Sequence, residues 1–273
     1  MSYSNLSEVS QFGKKKLVRE RIAVEHRIKR AAQVVCQSKR TIALTGAGVS
    51  VESGIPDFRS PGGLWELFDP IEYASIHAFK ADPEKVWRML QEVAVLLSRA
   101  RPNPAHKALG RLQQMGLLHT IITQNIDNLH QEGGATSIIE YHGNSKTLSC
   151  LWCDGRYLAT DLEGQLPPRC DCGRILKPDV VFFGEPIPPG PLRDSYELAS
   201  SCDTLLVLGT SAEIAPANTI PQTAKMAGAT IIEINLVPTV LTNHLTDIFL
   251  GGKASEVVTR LVAEIESMAK KKA

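Results

Sequence analysis

Four short, largely apolar runs in this chain each stop at glycine or at a polar side chain. Thr41–Thr45 runs into Gly46-Ala47-Gly48, and 117–123 into Gln124-Asn125-Ile126-Asp127. Thr204–Leu208 runs into Gly209-Thr210-Ser211, and 230–234 into Asn235. Runs without an alternating polar face are strands buried on both sides, which is the habit of a parallel sheet covered by helices. The segments between them carry apolar residues at helical spacing, over 103–115, 192–201, 217–227 and 254–268. The expected fold is therefore α/β, a Rossmann-like parallel sheet with helices on both faces. In such sheets ligands bind at the C-terminal strand ends, where the polar residues of this chain recur.

The first of these strand ends is the richest. A strand that breaks into glycines before a helix leaves backbone N–H groups free for a phosphate. The loop beyond closes with Pro56-Asp57-Phe58-Arg59, too polar and irregular for simple packing. The stretch reads as a nucleotide site with a chemical site attached; a tight strand–helix turn is the alternative. It matches the hydride-transfer fingerprint G-x-G-x-x-G poorly, because Val51 stands where the third glycine belongs and the next glycine is Gly54.

At 273 residues the chain has room for one large domain, or one domain with a small satellite. A net charge of +1 gives no reason to expect nucleic acid or an anionic membrane as the main partner. The basic stretch 14–40 reads as a solvated face of a helix over 15–38, and 1–12 as unstructured. Residues 1–9 lack an apolar core, and no run of about 18 apolar residues occurs, so a cytoplasmic location and no membrane span are expected. The six cysteines are then thiols or metal ligands before they are disulfides. Residues 60–101 are helical in pattern, with turns at Pro61-Gly62-Gly63 and Asp69-Pro70. The helix over 103–115 is capped near Asn103, and 179–183 reads as a strand.

Cys150-Leu-Trp-Cys153 and Cys170-Asp-Cys172 are separated by sixteen residues in a segment poor in apolar side chains. Two close pairs at such spacing read as a structural four-thiolate zinc site, although the second pair is one residue short of C-x-x-C. A redox pair or buried free thiols are the alternatives. Cys36 and Cys202 fall in helical patterns and read as core. Among the histidines, His142 stands out as a general base near neutrality. It follows an apolar strand, has Gly143 beside it to let a ligand approach, and comes soon after the polar cluster 124–127. His26, His77, His106, His119 and His244 lack such company and read as ordinary structural histidines.

Taken together, the blocks GAGVSVESGIPDFRSPGGLW (46–65), TQNIDNLH (123–130), YHGN (141–144), the cysteine pairs, KPDVVFFGE (177–185), GTSAEIAPA (209–217) and INL (234–236) resemble the sirtuins, NAD-dependent protein-lysine deacylases. The resemblance spans about 35–255 in the family's order. It implies a catalytic domain over 35–270, with Rossmann-like parts 35–59, 102–145 and 177–270. A helical insertion over 60–101 and a zinc ribbon over 146–176 would complete it, and 1–34 would form a partly helical extension. Gly46, Ala47 and Gly48 would cradle the NAD pyrophosphate. Thr210 and Ser211, after Gly209, would hold phosphate or ribose. Asn235 and Leu236 would lie at the adenosine ribose, and Ala254 at the adenine. Ile126 and Asp127 would hold the nicotinamide carboxamide, next to Gln124, and Asn125 would order the ribose and a water. Phe58 would cover the reactive ribose and Arg59 line the site, with Glu52 and Asp57 in the same NAD-binding set. Val181, Phe182, Phe183, Gly184 and Glu185 would bind the substrate backbone as an added strand.

The implied reaction starts with attack of the acyl-lysine carbonyl oxygen on the nicotinamide ribose, releasing nicotinamide. His142 then takes a proton from a ribose hydroxyl, and water completes the release of lysine and O-acyl-ADP-ribose. Sirtuins that prefer succinyl or malonyl lysine carry Y-x-x-R after the D-P-E turn. Here Leu90 and Val93 occupy those positions, so neutral acyl groups are expected. ADP-ribosyl transfer or NAD hydrolysis is the competing enzymatic reading, and a non-catalytic NAD or ADP-ribose sensor the other.

Overall fold

The computed structural model describes residues 24–272 other than Arg59, Glu163 and Gln165. The expectations for 1–12, for the first part of the 15–38 helix and for Arg59 lie outside the described residues. The chain opens with helix α1 over 24–37, followed by β1 (Thr41–Thr45) and two short 3-10 turns, Ala47–Val49 and Val51–Ser53. Four helices come next: α2 (Leu64–Leu67), α3 (Pro70–Tyr73), α4 (Ile76–Ala81) and α5 (Pro83–Arg99). Then follow α6 (Pro104–Gln114), β2 (Thr120–Thr123), α7 (Leu129–Glu132) and β3 (Ile138–Glu140). Strands β4 (Gly143–Ser149), β5 (Arg156–Leu158) and β6 (Lys177–Val180) form a separate small sheet. The chain closes with α8 (Pro189–Ser201), β7 (Thr204–Leu208), α9 (Ile220–Met226), β8 (Thr230–Asn235), β9 (Ile248–Gly251) and α10 (Ala254–Lys272).

The main sheet has the order β3-β2-β1-β7-β8-β9, and every pairing is parallel. Successive residues of β1 show why both faces must be apolar. Ala43 packs in a layer with α1, α6 and α10, whereas Ile42 and Leu44 pack in a layer with α8 and α9. The order reverses between β1 and β7, so the ligand crevice of this topology lies at their C-terminal ends.

Three expectations need revision. The domain boundary placed at residue 35 falls inside α1, whose Ile28, Ala31, Ala32 and Val35 are buried in the main core. The helix expected over 217–227 splits into a 3-10 turn, Ala217–Thr219, and α9, which has a proline in its first turn. The strand expected over 179–183 ends at Val180. Beyond it the chain turns: Glu185 N–H donates to the Phe182 carbonyl, and Gly184 has φ +84°. Lys177 holds this turn. Its Nζ donates to the carbonyls of Pro178 (3.0 Å) and Val180 (2.7 Å) and lies 2.9 Å from Glu185 Oε2, which also accepts from Phe182 N–H. The last sheet strand, β9, was not among the expected elements.

The two smaller modules are tied together. Phe79 and Val86 of α4 and α5 pack on Ile175 and Phe182. Trp87 Nε1 donates to the Leu176 carbonyl at 2.8 Å, joining α5 to the cysteine-bearing sheet.

Candidate active site

Each cluster read from the sequence follows the C-terminal end of a main-sheet strand: 46–48 after β1, 124–127 after β2, 209–211 after β7 and Leu236 after β8, with Asn235 that strand's last residue. His142 stands two residues past β3, and Ala254 opens α10 just after β9.

At the switch point the two loops interlock. Gly46 N–H donates to the Leu208 carbonyl (3.0 Å) and Gly48 N–H to the Gly209 carbonyl (2.8 Å). A side chain at Gly48 would stand 2.9 Å from Gly209 Cα, and Gly209 itself has φ +56°. These glycines therefore permit backbone-to-backbone approach, and the amides of Gly46 and Gly48 are already engaged. The helix expected to follow is replaced by the two 3-10 turns. Gln124 Nε2 donates to Thr210 Oγ1 at 3.1 Å, and Asn235 Nδ2 to the Thr210 carbonyl at 3.0 Å, so strand ends β2, β7 and β8 meet at Thr210. Glu52 reaches across to α10, accepting from Ser255 Oγ (2.8 Å) and Ser255 N–H (3.2 Å) beside Ala254. Asp57 accepts from Ser60 N–H and Oγ, closing its own loop.

Asn125 and Asp127 are joined through Ser50, a residue the sequence reading did not single out. Asn125 Nδ2 donates to Ser50 Oγ (3.1 Å) and to the Gly46 carbonyl (3.2 Å), and Ser50 Oγ donates to Asp127 Oδ2 at 2.6 Å. Under them lies His106, fully buried, with Nε2 3.3 Å from Ser50 Oγ and Nδ1 accepting from Asn103 N–H. Burial pushes this imidazole down to about 4, against the opposing pull of Asp127. His106 was read as an ordinary histidine; its signal was Asn-x-x-His at a helix start, where Asn103 caps α6 and His106 completes the box.

His142 Nδ1 is 3.0 Å from the Gln124 carbonyl. A carbonyl only accepts, so Nδ1 carries the proton and Nε2 is the basic nitrogen. Burial lowers the pKa of this ring, and the bond to Gln124 partly offsets that. Gly143 does not open a path for a ligand as expected. At φ +71°, a Cβ there would meet the Asp179 carbonyl at 1.9 Å, so the glycine lets β4 pass against β6.

The 181–185 strip is anchored beside this histidine. Val181 N–H donates to the His142 carbonyl at 2.9 Å, and Phe183 pairs through both backbone groups with Ala74 and Ile76. Much of the strip's backbone bonding is thus internal. Phe58 stacks on Trp65 with centroids 4.9 Å apart, and Trp65 lies 6.0 Å from Phe183, which forms an aromatic wall the sequence reading only half identified.

Cys150, Cys153, Cys170 and Cys172 converge with all four Sγ atoms within 4.8 Å of one another. Four thiolates about 2.3 Å from a zinc ion would stand about 3.8 Å apart, so the set fits a tetrahedral ion despite the short C-x-C pair. Four protein ligands leave no open position, which makes such an ion structural.

Fold and site define an α/β enzyme whose crevice lies at the sheet's switch point, with His142 at its edge. The chain belongs to the Sir2 family, whose model matches residues 46–216. It is 44% identical to an NAD-dependent protein deacylase of Pyrobaculum aerophilum, over 86% of this chain and 94% of that one. A solved Sir2 homologue in complex with NAD is 40% identical, with a TM-score of 0.81 over 88% of this chain and 94% of that one. Sir2Af2 bound to a myristoylated histone peptide is 35% identical, with a TM-score of 0.77 over 90% and 99%.

Proposed function

We propose that this protein removes acetyl or other neutral acyl groups from protein lysines and consumes one NAD per turnover. One acyl-lysine, one NAD and one water give lysine, nicotinamide and O-acyl-ADP-ribose. The observation that carries this reading is the His142–Gln124 hydrogen bond, which fixes the ring's tautomer and leaves Nε2 as the basic nitrogen at the strand ends where this fold binds nucleotides.

In this reading NAD is a co-substrate that supplies the ribose carbon to which the acyl oxygen transfers. Gly209–Ser211 and Asn235-Leu236 take its adenosine side, with Glu52 holding the start of α10 beside Ala254. Ala47 lines the pyrophosphate path between Gly46 and Gly48. Asp127 and Ile126 receive the carboxamide, and Asn125 orients the ribose. The 181–185 strip lays the substrate peptide alongside His142, and the Phe58–Trp65–Phe183 wall shields the reacting ribose from water. A zinc ion held by the four cysteines would brace the β4–β6 sheet. The cytoplasmic location belongs to the same proposal; a cysteine cluster that fits four metal thiolates supports it. No described helix is long and apolar enough to cross a membrane.

The test is mass spectrometry of an acetyl-lysine peptide incubated with and without NAD, beside His142→Ala. NAD-dependent loss of acetyl with formation of O-acetyl-ADP-ribose, absent in the variant, is the expected result. NAD consumption with the peptide left acetylated would replace this reading with hydrolysis or ADP-ribosyl transfer.

A further inference from the structure

Beneath Asn125 runs a second polar chain, separate from the Ser50–Asp127 contacts. Thr45 and Thr123 are the last residues of β1 and β2 and face each other in register. Their hydroxyls are 2.9 Å apart, with Thr45 donating to Thr123. Thr123 Oγ1 also accepts from Asn125 N–H at 3.1 Å. On the other side, Thr45 Oγ1 lies 2.9 Å from His130 Nε2. The Thr45 proton is already given to Thr123, so the remaining partner must donate, and His130 carries its proton on Nε2. All three side chains are buried. Nδ1 of His130 has no protein partner, and an unpaired acceptor is the less costly orphan. The ring packs edge-on against His106 with centroids 4.9 Å apart.

We infer that Thr45, Thr123 and His130 are positioning residues for the reaction: they fix the backbone of Asn125 from below, while Ser50 fixes its side chain from above. The inference rests on the deacylase reading for its catalytic consequence, not for its geometry. β1 and β2 deliver two hydroxyls to one point because their parallel register pairs Thr45 with Thr123. α7 supplies the histidine that orients the first hydroxyl. Asn125 is thereby held at both ends, and a group that must order a ribose and a water gains from such double restraint. Misplacing a reacting group by about 1 Å can cost on the order of 100-fold in rate.

The experiment has two arms. In the first, Thr123→Val keeps the shape and removes the acceptor, while Thr123→Ser keeps the hydroxyl. The expected result is a fall in kcat of about tenfold or more for Thr123→Val, a KM for NAD within about twofold of wild type, and recovery to within about threefold for Thr123→Ser. Equal kcat in wild type and Thr123→Val, or equal impairment of both variants, would overturn the inference. In the second arm, side-chain ¹⁵N NMR of the wild-type protein, with His130→Asn to assign the signal, reads the tautomer directly. His130 is expected neutral with the proton on Nε2 from pH 5 to 8. A proton on Nδ1, or titration within that range, would overturn the inference even if Thr123→Val fails to fold. A wild-type protein that releases no nicotinamide would count against the deacylase reading alone, because the NMR arm needs no turnover.

Discussion

A single carbonyl decides what His142 does. Gln124 accepts from Nδ1, so the ring can take a proton only at Nε2, and burial keeps it neutral at lower pH than an exposed imidazole. A base works in its neutral form. The pKa lies below the ordinary 6.5, so kcat rises as pH increases through that lowered value and is level from pH 7 upward. A kcat profile from pH 5 to 8 checks this, and a rate still climbing tenfold per unit above pH 7 would contradict it. His142→Ala removes the group outright and should lower kcat by about 100-fold or more. His142 was legible in the sequence because it stands inside a polar motif after a strand. His106 was not, because a histidine within a helical pattern looks the same whether it faces solvent or another imidazole, and His130 was quoted only as the end of the 123–130 block and given no role. Only the crossing of α6 and α7 under β1 and β2 brings the two rings together.

At the scale of elements, the small sheet links the cysteines to the chemistry. β4 begins one residue after His142, and the segment after β6 binds the His142 carbonyl through Val181 N–H. Cys150 and Cys170 are buried with Leu148 and Leu176 in a small core that a metal held by the four cysteines would brace. Strong chelation, or Cys170→Ser, is therefore expected to unfold the β4–β6 sheet and reduce deacylation with it; metal analysis should find one zinc per chain before treatment and none after. Retention of full activity in metal-free protein would refute the coupling. α5 carries a separate prediction. Leu90 and Val93 are half-buried, and Leu90 packs on the cluster formed by Phe79, Val86, Ile175 and Phe182. At the positions where the resemblance puts the acyl chain, these apolar side chains would give a succinyl carboxylate no partner and leave it with its desolvation cost. Acetyl peptide should be turned over faster than succinyl peptide at equal concentration, and the reverse order would show that a cation reaches the acyl group from elsewhere. The cysteine pairs and the apolar periodicity of α5 could be read from the sequence because each is a local pattern. The end of β6 could not, because it is set by a Lys177–Glu185 contact across a turn that periodicity does not register.

Across the whole molecule, the buried histidines set the response to acid. An unfolded histidine titrates near 6.5, but in the fold His106 is lowered to about 4 and His130 to about 3, in both cases chiefly by burial. Between those values the unfolded chain binds protons that the native state refuses, so stability falls as pH drops below 6.5. Each histidine contributes a slope of about 1.4 kcal/mol per pH unit, with His106 acting down to about pH 4 and His130 to about pH 3. Above 6.5 both rings are neutral in both states, and this contribution is constant. Denaturant unfolding at pH 8, 7, 5.5 and 4.5 should therefore give a nearly flat first interval and a steep fall thereafter. His106→Asn, which cannot titrate, should reduce that acid slope while lowering stability at pH 8 through its lost contacts with Ser50 and Asn103. The rings lie in the layer that carries Asn125 and Asp127, so acid should disorder the site and the main core in one transition. Turnover is expected to fall first, as His142 takes its proton, so the test of this coupling is structural: near-UV and helical signals should be lost together, and separate midpoints would uncouple the site from the core.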